Sequence, residues 1–181
     1  MGIPADEHIE LVSAFIQEVK NRPAPNPDGL PRIFIWGNEI DDAAFIQLVE
    51  ECGAHVVMDD LCTGSRFFWE DVPETGDPLE ALARRYICTH CPRTLKPQAG
   101  DRQTDLENRF GYIRQFMADW KADGAIFYIV RYCDTCELEG PDLKDYLNGL
   151  KLPVLMIEDD YSTSTMGQLR TRIQAFLEMI L

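Results

Sequence analysis

Cys133 and Cys136 close a run of β-branched and aromatic residues, Ile126-Phe-Tyr-Ile-Val-Arg-Tyr-Cys133-Asp134-Thr-Cys136. A run of that kind reads as a buried parallel strand. Reactive groups of open α/β sheets gather at the carboxyl ends of such strands, so Cys133 is placed for chemistry. A thiolate there can join a redox pair, bind zinc or ligate an iron–sulfur cluster. The other cysteines are Cys52, Cys62, Cys88 and Cys91. The pairs Cys88-Thr-His-Cys91 and Cys133-Asp-Thr-Cys136 suggest a four-thiolate zinc site, but they lie much further apart than in a zinc ribbon. A thioredoxin-like redox pair needs a helix that begins at the first cysteine. Here Cys136-Glu-Leu-Glu-Gly-Pro141 is expected to delay the helix. Iron–sulfur ligation tolerates thiolates from distant points in the chain, and Cys133 and Cys62, both at strand ends, are the best placed. Cys52, late in a helix beside Gly53, reads as a packed core thiol.

Cys62-Thr-Gly-Ser65-Arg66 adds a glycine, two hydroxyls and a guanidinium. Gly64 would let the backbone approach a ligand closely, and Arg66 could hold a phosphate or carboxylate through two hydrogen bonds. The plainer reading is a turn with a surface arginine. With Ser65 and Asp160, Arg66 forms the set of candidate substrate contacts. Phe67-Phe68-Trp69 either cap the core or meet another domain or a ligand. The histidines His8, His55 and His90 show no metal spacing, and only His90 lies between two cysteines. No Ser-His-Asp elbow, phosphate-binding glycine loop or dinucleotide fingerprint is present.

The elements that must position these residues follow from hydrophobic period and punctuation. Ile9, Val12, Phe15, Ile16 and Val19 sit at helical spacing, and a Pro-rich stretch through Pro31 ends that helix. Strands are expected at Arg32–Trp36, His55–Met58, Gly124–Tyr132 and Pro153–Ile157. Helices are expected at Asp41–Cys52 with Asp41 as N-cap, Pro78–Tyr86, Thr104–Ala122, Pro141–Leu150 and Thr165–Leu181. Thr104 with Glu107, and Thr165 with Gln168, have capping-box spacing. Leu61–Asp77 and Cys88–Gln103 read as loop. The alternation predicts an α/β fold. It is an open, mostly parallel sheet of about four strands with helices on both faces, a three-layer flavodoxin- or Rossmann-like architecture. Residues 1–31 form a helix and linker, and 32–181 a single domain. Every strand ends in polar residues: Asn38-Glu39, Asp59-Asp60 with Cys62, Cys133-Asp134 and Glu158-Asp159-Asp160. In a parallel sheet these endings share one edge, although turn preference alone explains some of them.

Composition bounds the partners. Lys+Arg 17 against Asp+Glu 31 gives a net charge of −14, which argues against nucleic acid and anionic membrane surfaces. The apolar runs are strand-sized, so no membrane span is expected. The amino terminus lacks the pattern of a signal peptide. A cytoplasmic protein with reduced or metal-bound thiols is the expectation.

An ordered set of segments carries a family resemblance: Asp59-Asp-Leu-Cys-Thr-Gly-Ser-Arg66, Cys91-Pro-Arg93, Asp123-Gly-Ala-Ile-Phe127, Arg131-Tyr-Cys-Asp134, Glu158-Asp-Asp-Tyr-Ser162 and Gly167-Gln-Leu-Arg-Thr-Arg-Ile-Gln-Ala-Phe176. The set resembles the 2-hydroxyacyl-CoA dehydratase D-component family, which includes subunits of ATP-dependent benzoyl-CoA reductase. The resemblance covers about residues 32–181. Family subunits are about twice this length, and the likeness is to their carboxyl-terminal half only.

The resemblance implies a 4Fe–4S cluster with Cys133 as a ligand and Cys62 as a second candidate. It implies a radical reaction on an acyl-CoA thioester. A separate ATP-hydrolysing activator injects one low-potential electron, and the cluster passes it to the thioester carbonyl. Dehydratases then expel a β-positioned hydroxyl through a ketyl radical, whereas reductases add electrons to an aromatic ring. The implied partners are an acyl-CoA, a second dehydratase or reductase subunit and the activator. The missing half would supply further cysteine ligands, so the chain alone is expected to be inactive: an excised domain, a split subunit or a decayed gene. Two rivals stand beside this. One is a non-catalytic interaction domain with Phe67, Phe68 and Trp69 as interface anchors. The other is a zinc-stabilised domain.

Overall fold

The computed structural model describes residues 2–23, 29–87, 101–161 and 165–181. Four strands form one parallel sheet in the order β2-β1-β3-β4: β1 (Arg32–Gly37), β2 (His55–Asp60), β3 (Gly124–Val130) and β4 (Val154–Asp159). β1 pairs with both β2 and β3, so the two crossover directions diverge between β1 and β3. That gap is the topological switch point.

The period-2 pleat explains the two cores. Ile33 and Ile35 of β1, with Ile126 and Tyr128 of β3, face α2 (Ala44–Glu51) and α7 (Met166–Ile180). Phe34 and Trp36, with Ala125, Phe127 and Ile129, face α5 (Arg102–Asp119) and α6 (Asp134–Gly149). The three-layer α/β expectation holds. Three further helices are described: α1 (Ala5–Asn21), α3 (Ser65–Phe68) and α4 (Pro78–Ile87). No helix of the described residues is long and apolar enough to cross a membrane.

Several local expectations are corrected. Asp42, not Asp41, receives the first free amide of α2, from Ala44 at 2.9 Å. Asp101 caps α5 by accepting from Thr104 N–H at 2.8 Å, so Thr104 lies inside the helix and is no cap. Thr165 precedes α7 without capping it, because its hydroxyl turns to Asp159 Oδ1 at 3.2 Å. α3 occupies part of the stretch expected to be irregular. The largest difference is α6, which begins at Asp134 and runs through Pro141. An interior proline removes one intrahelical bond and crowds the carbonyl one turn earlier. Cys136, Gly140, Leu143, Tyr146 and Leu147 bury one face of α6 against the sheet, which outweighs that loss. Gly140 is needed there, since a Cβ would stand 3.0 Å from Ile129 Cδ1. The expected pair Cys88/Cys91, His90 and the segment Cys91-Pro-Arg93 lie outside the described residues.

Candidate functional site

The carboxyl edge of the sheet gathers the polar strand endings. Gly37 ends β1 at φ 149°, and a Cβ there would stand 1.8 Å from the Tyr128 carbonyl oxygen, so the chain can pass β3 only as glycine. Asn38 follows, buried at 5% exposure. Its backbone N–H donates to Tyr128 O at 3.1 Å, and its side-chain oxygen accepts from Val130 N–H at 2.8 Å. One asparagine therefore ties β1 to β3 across the switch point. Its type and place after a strand were the only sequence signal, and that signal is shared with ordinary turns.

Cys133 lies beyond β3, reached through Tyr132 in the left-handed conformation at φ 70°. It is the N-cap residue of α6. The delayed helix expected here, which counted against a thioredoxin-like redox pair, is not found: α6 begins at the next residue. Tyr132 N–H donates to the Glu137 carboxylate at 2.9 Å, which fixes the path of the chain into the helix. Partial burial opposes ionisation of Cys133. Hydrogen bonds from the Thr135 hydroxyl, the Cys136 backbone and the Asn38 side chain outweigh it and hold the thiol below its ordinary value. Thr135 Oγ1 is 3.3 Å from the sulfur. Cys136, in contrast, is fully buried in the core. Cys52 is half-buried near the Arg170 carbonyl, and burial pushes its thiol up.

Cys62 is held on the other side of Asn38. Its backbone N–H donates to Asn38 O at 3.4 Å, and its sulfur lies 4.0 Å from Gly37 O. Gly64 packs against Asp59, where a Cβ would stand 1.9 Å from Oδ1. Asp59 Oδ1 accepts from Leu61 N–H at 3.2 Å and Ser65 N–H at 2.9 Å, and the Ser65 hydroxyl donates to Asp59 O. Arg66 is 2% exposed and Asp60 fully buried. The guanidinium meets Asp60 through Nε to Oδ1 at 3.3 Å, Nη2 to Oδ2 at 3.2 Å and Nη2 to the backbone oxygen at 2.6 Å. Its Nη1 is 3.5 Å from Cys62 Sγ, and Trp36 lies beneath it with the ring centroid at 6.0 Å. Burial works against the charge, but Asp60 more than offsets this and raises the Arg66 pKa. Tyr112 of α5 donates to Asp60 Oδ2 at 3.0 Å, and burial together with Asp60 pushes its hydroxyl well up. Arg66 and Ser65 therefore serve the architecture of the Cys62 loop. Tyr112 had no local sequence signal, because a helix-face tyrosine is ordinary.

Asp160, the third candidate substrate contact, lies further along the edge in an exposed ion pair with Arg131 at 3.2 Å. Beside it a pocket of about 500 Å³ opens, walled by Asp41, Phe45, Tyr128, Asp159, Tyr161 and Met166. Tyr128 donates to Asp159 Oδ2 at 2.8 Å, and Tyr161 to Glu39 O at 2.9 Å. Phe67, Phe68 and Trp69 remain at least half exposed, although the Trp69 ring reaches Phe116 at 4.6 Å. Among the described residues no group of three or more His, Cys, Asp or Glu side chains converges as a metal site.

The family model described as 2-hydroxyglutaryl-CoA dehydratase, D-component, matches residues 1–180. The match takes in α1 and the Pro-rich segment, so the restriction to about residues 32–181 and to a carboxyl-terminal half is not borne out. YjiM of Escherichia coli (strain K12), which carries a dehydratase-subunit name, is 35% identical over 156 residues, covering 84% of this chain and 38% of that protein. The (R)-phenyllactyl-CoA dehydratase beta subunit of Clostridium sporogenes is 29% identical, covering 96% of this chain and 44% of its own length. A benzoyl-CoA reductase subunit of Thauera aromatica is 24% identical, with 98% and 45% covered. The chain thus spans less than half the length of each.

Proposed function

Because this chain belongs to the 2-hydroxyglutaryl-CoA dehydratase D-component family, we propose that it works as part of an acyl-CoA dehydratase or reductase complex in which Cys133 is a ligand of a 4Fe–4S cluster. The observation that carries this reading is the setting of Cys133. The thiol is half-buried, stands at a helix N-terminus and is held below its ordinary pKa at the carboxyl edge of the sheet.

The residues fit the group in kind but not in number. Thiolates are the ligands such clusters use, and Cys133 is set up as one. No group of three or more donors gathers around it among the described residues. Cys62, steadied by Arg66, is the second candidate, and most of the remaining ligands are expected from the half of the family subunit that this chain lacks. When bound, the cluster supplies a low-potential electron to an acyl-CoA thioester. The chain's own residues shift the ligand thiol toward its thiolate form, through hydrogen bonds from Thr135, the Cys136 backbone and Asn38. They also fix its position relative to the switch point through Asn38. Asp160 and Arg131, at the rim, are the groups that reach toward substrate.

A second subunit, an acyl-CoA and an ATP-hydrolysing activator complete the proposed reaction, and the isolated chain is inactive. The relatives named above include both a dehydratase and a reductase component, so the proposal spans either dehydration or reduction. The exposed Phe67, Phe68 and Trp69 favour one second reading, a non-catalytic subunit that docks through them. The test is anaerobic absorbance and electron paramagnetic resonance of the complex purified with its partner. Cys133→Ser should remove or reshape the cluster signal. An unchanged signal sinks the assignment, and one zinc per aerobically purified chain would replace it with a structural metal.

A further inference from the structure

α1 carries an apolar stripe that none of the described residues covers. Ile9, Leu11, Val12, Phe15, Ile16 and Val19 are all exposed, and none of the 17 residues of the helix is buried. Amphipathic helices of globular proteins bury such a stripe, and contiguous apolar patches of this kind mark interaction sites.

The spacing says more. Ile9, Val12, Ile16 and Val19, with Ala5 before them, step alternately by four and three residues, which is a heptad seam. With Ile9 and Ile16 at a, and Val12 and Val19 at d, the flanking e positions hold Asp6, Ser13 and Lys20. Within the helix the g positions hold His8 and Phe15, and Arg22 lies beyond its end in extended backbone. In an antiparallel pair each a position faces a d position. Ile9 then meets Val19 of the other helix, and Val12 meets Ile16. In the same register Asp6 faces Lys20 at both ends, and Phe15 meets its own copy near the axis. Glu7, Glu10 and Glu18 point outward. A parallel pair would set Phe15 against Lys20 and His8 against Ser13, and makes no ion pair.

We propose that α1 is a self-docking surface through which two copies of this chain pair antiparallel about a two-fold axis close to Ser13 and Phe15. The contact is isologous, so it closes as a dimer and does not propagate. The exposures leave roughly 600 Å² of apolar side chain uncovered per helix, and pairing removes on the order of 1,000 Å² in total, at the threshold of a specific interface. The dimer is therefore a concentration-dependent one, with a dissociation constant in the micromolar range. This inference does not rest on the cluster reading and survives its failure.

The test is sedimentation velocity of the full chain from about 1 to about 100 μM, in about 0.15 M salt to screen the net charge. Wild type should pass from monomer to dimer across that range. Ile16→Asp should weaken the dimer more than about 30-fold, the loss expected of a central anchor. Asp6→Lys and Lys20→Glu should each weaken it, and the double reversal should restore it. These positions are exposed, and circular dichroism checks that the helix persists. A monomer at every concentration overturns the proposal, as does a dimer indifferent to Ile16→Asp. Failure of the double reversal to restore pairing overturns the antiparallel register. A chain that is monomeric alone and engages a different subunit through α1 assigns the surface to that partner and overturns the self-pairing.

Discussion

Replacing Asp60 with leucine should be among the most damaging single changes in the domain. Asp60 is fully buried and Arg66 is 2% exposed. The carboxylate meets the guanidinium at 3.2 and 3.3 Å and accepts the Tyr112 hydroxyl at 3.0 Å. Without it, the Arg66 charge stays in the interior without its counter-charge. Breaking a buried pair on one side costs about 3–5 kcal/mol. For a domain of this size each kcal/mol lowers Tm by about 2–4 °C, so a fall of roughly 6–20 °C is expected. The double variant Asp60→Leu/Arg66→Met removes both charges. It should lie within about 2 kcal/mol of wild type, since a buried pair exchanged for apolar groups is often neutral. Urea unfolding of wild type, both single variants and the double closes the cycle. A single variant within about 1 kcal/mol of wild type, or a double that costs the sum of the singles, refutes the account of this pair as coupled and desolvated.

Gly37→Ala should cost on the order of 3 kcal/mol, because a left-handed φ and a Cβ 1.8 Å from a backbone oxygen leave no side chain to yield; thermal melting reads it, and an unchanged Tm refutes it. Burial and Glu107 raise the Tyr146 hydroxyl from 10.0 to about 12. A raised value means that the folded state holds the proton more tightly, so this contribution is whole below pH 10 and fades as pH climbs toward 12. The gap in Tm between wild type and Tyr146→Phe should narrow across that window, and a constant gap would contradict it. In the metal-free chain, Cys133 should be alkylated by iodoacetamide with a pH midpoint below that of an ordinary thiol, read by peptide mass spectrometry. Thr135→Val should move the midpoint up, and a wild-type midpoint at or above 9.0 would remove the argument for its activation.

The strands and the polar edge were legible because their signals are local. Ile33, Phe34, Ile35 and Trp36 form an unbroken apolar run that only a strand covered on both faces accommodates, and all four are fully buried in β1. The helix starts were less legible, because several side chains can serve one amide. Asp101 sits three residues before Thr104 and takes the capping bond that the Thr104–Glu107 spacing suggested for Thr104. At α6 the local signal misled, since Pro141 marks a helix boundary in isolation but not where a buried helix face compensates for one lost bond.

By itself the amino-acid order determined the α/β class, the shared edge of strand endings, the prominence of Cys133 and the family likeness. All of these depend on period, punctuation or local residue type. Tertiary structure alone decided which side chains meet there. It turned Arg66 inward to Asp60, placed Asn38 between β1 and β3, set Cys133 against a helix start and left α1 uncovered by the described residues. Those outcomes depend on contacts between residues distant in the chain, such as Asp60 with Tyr112 or Asn38 with Val130, and on the low dielectric that makes a buried charge seek its partner.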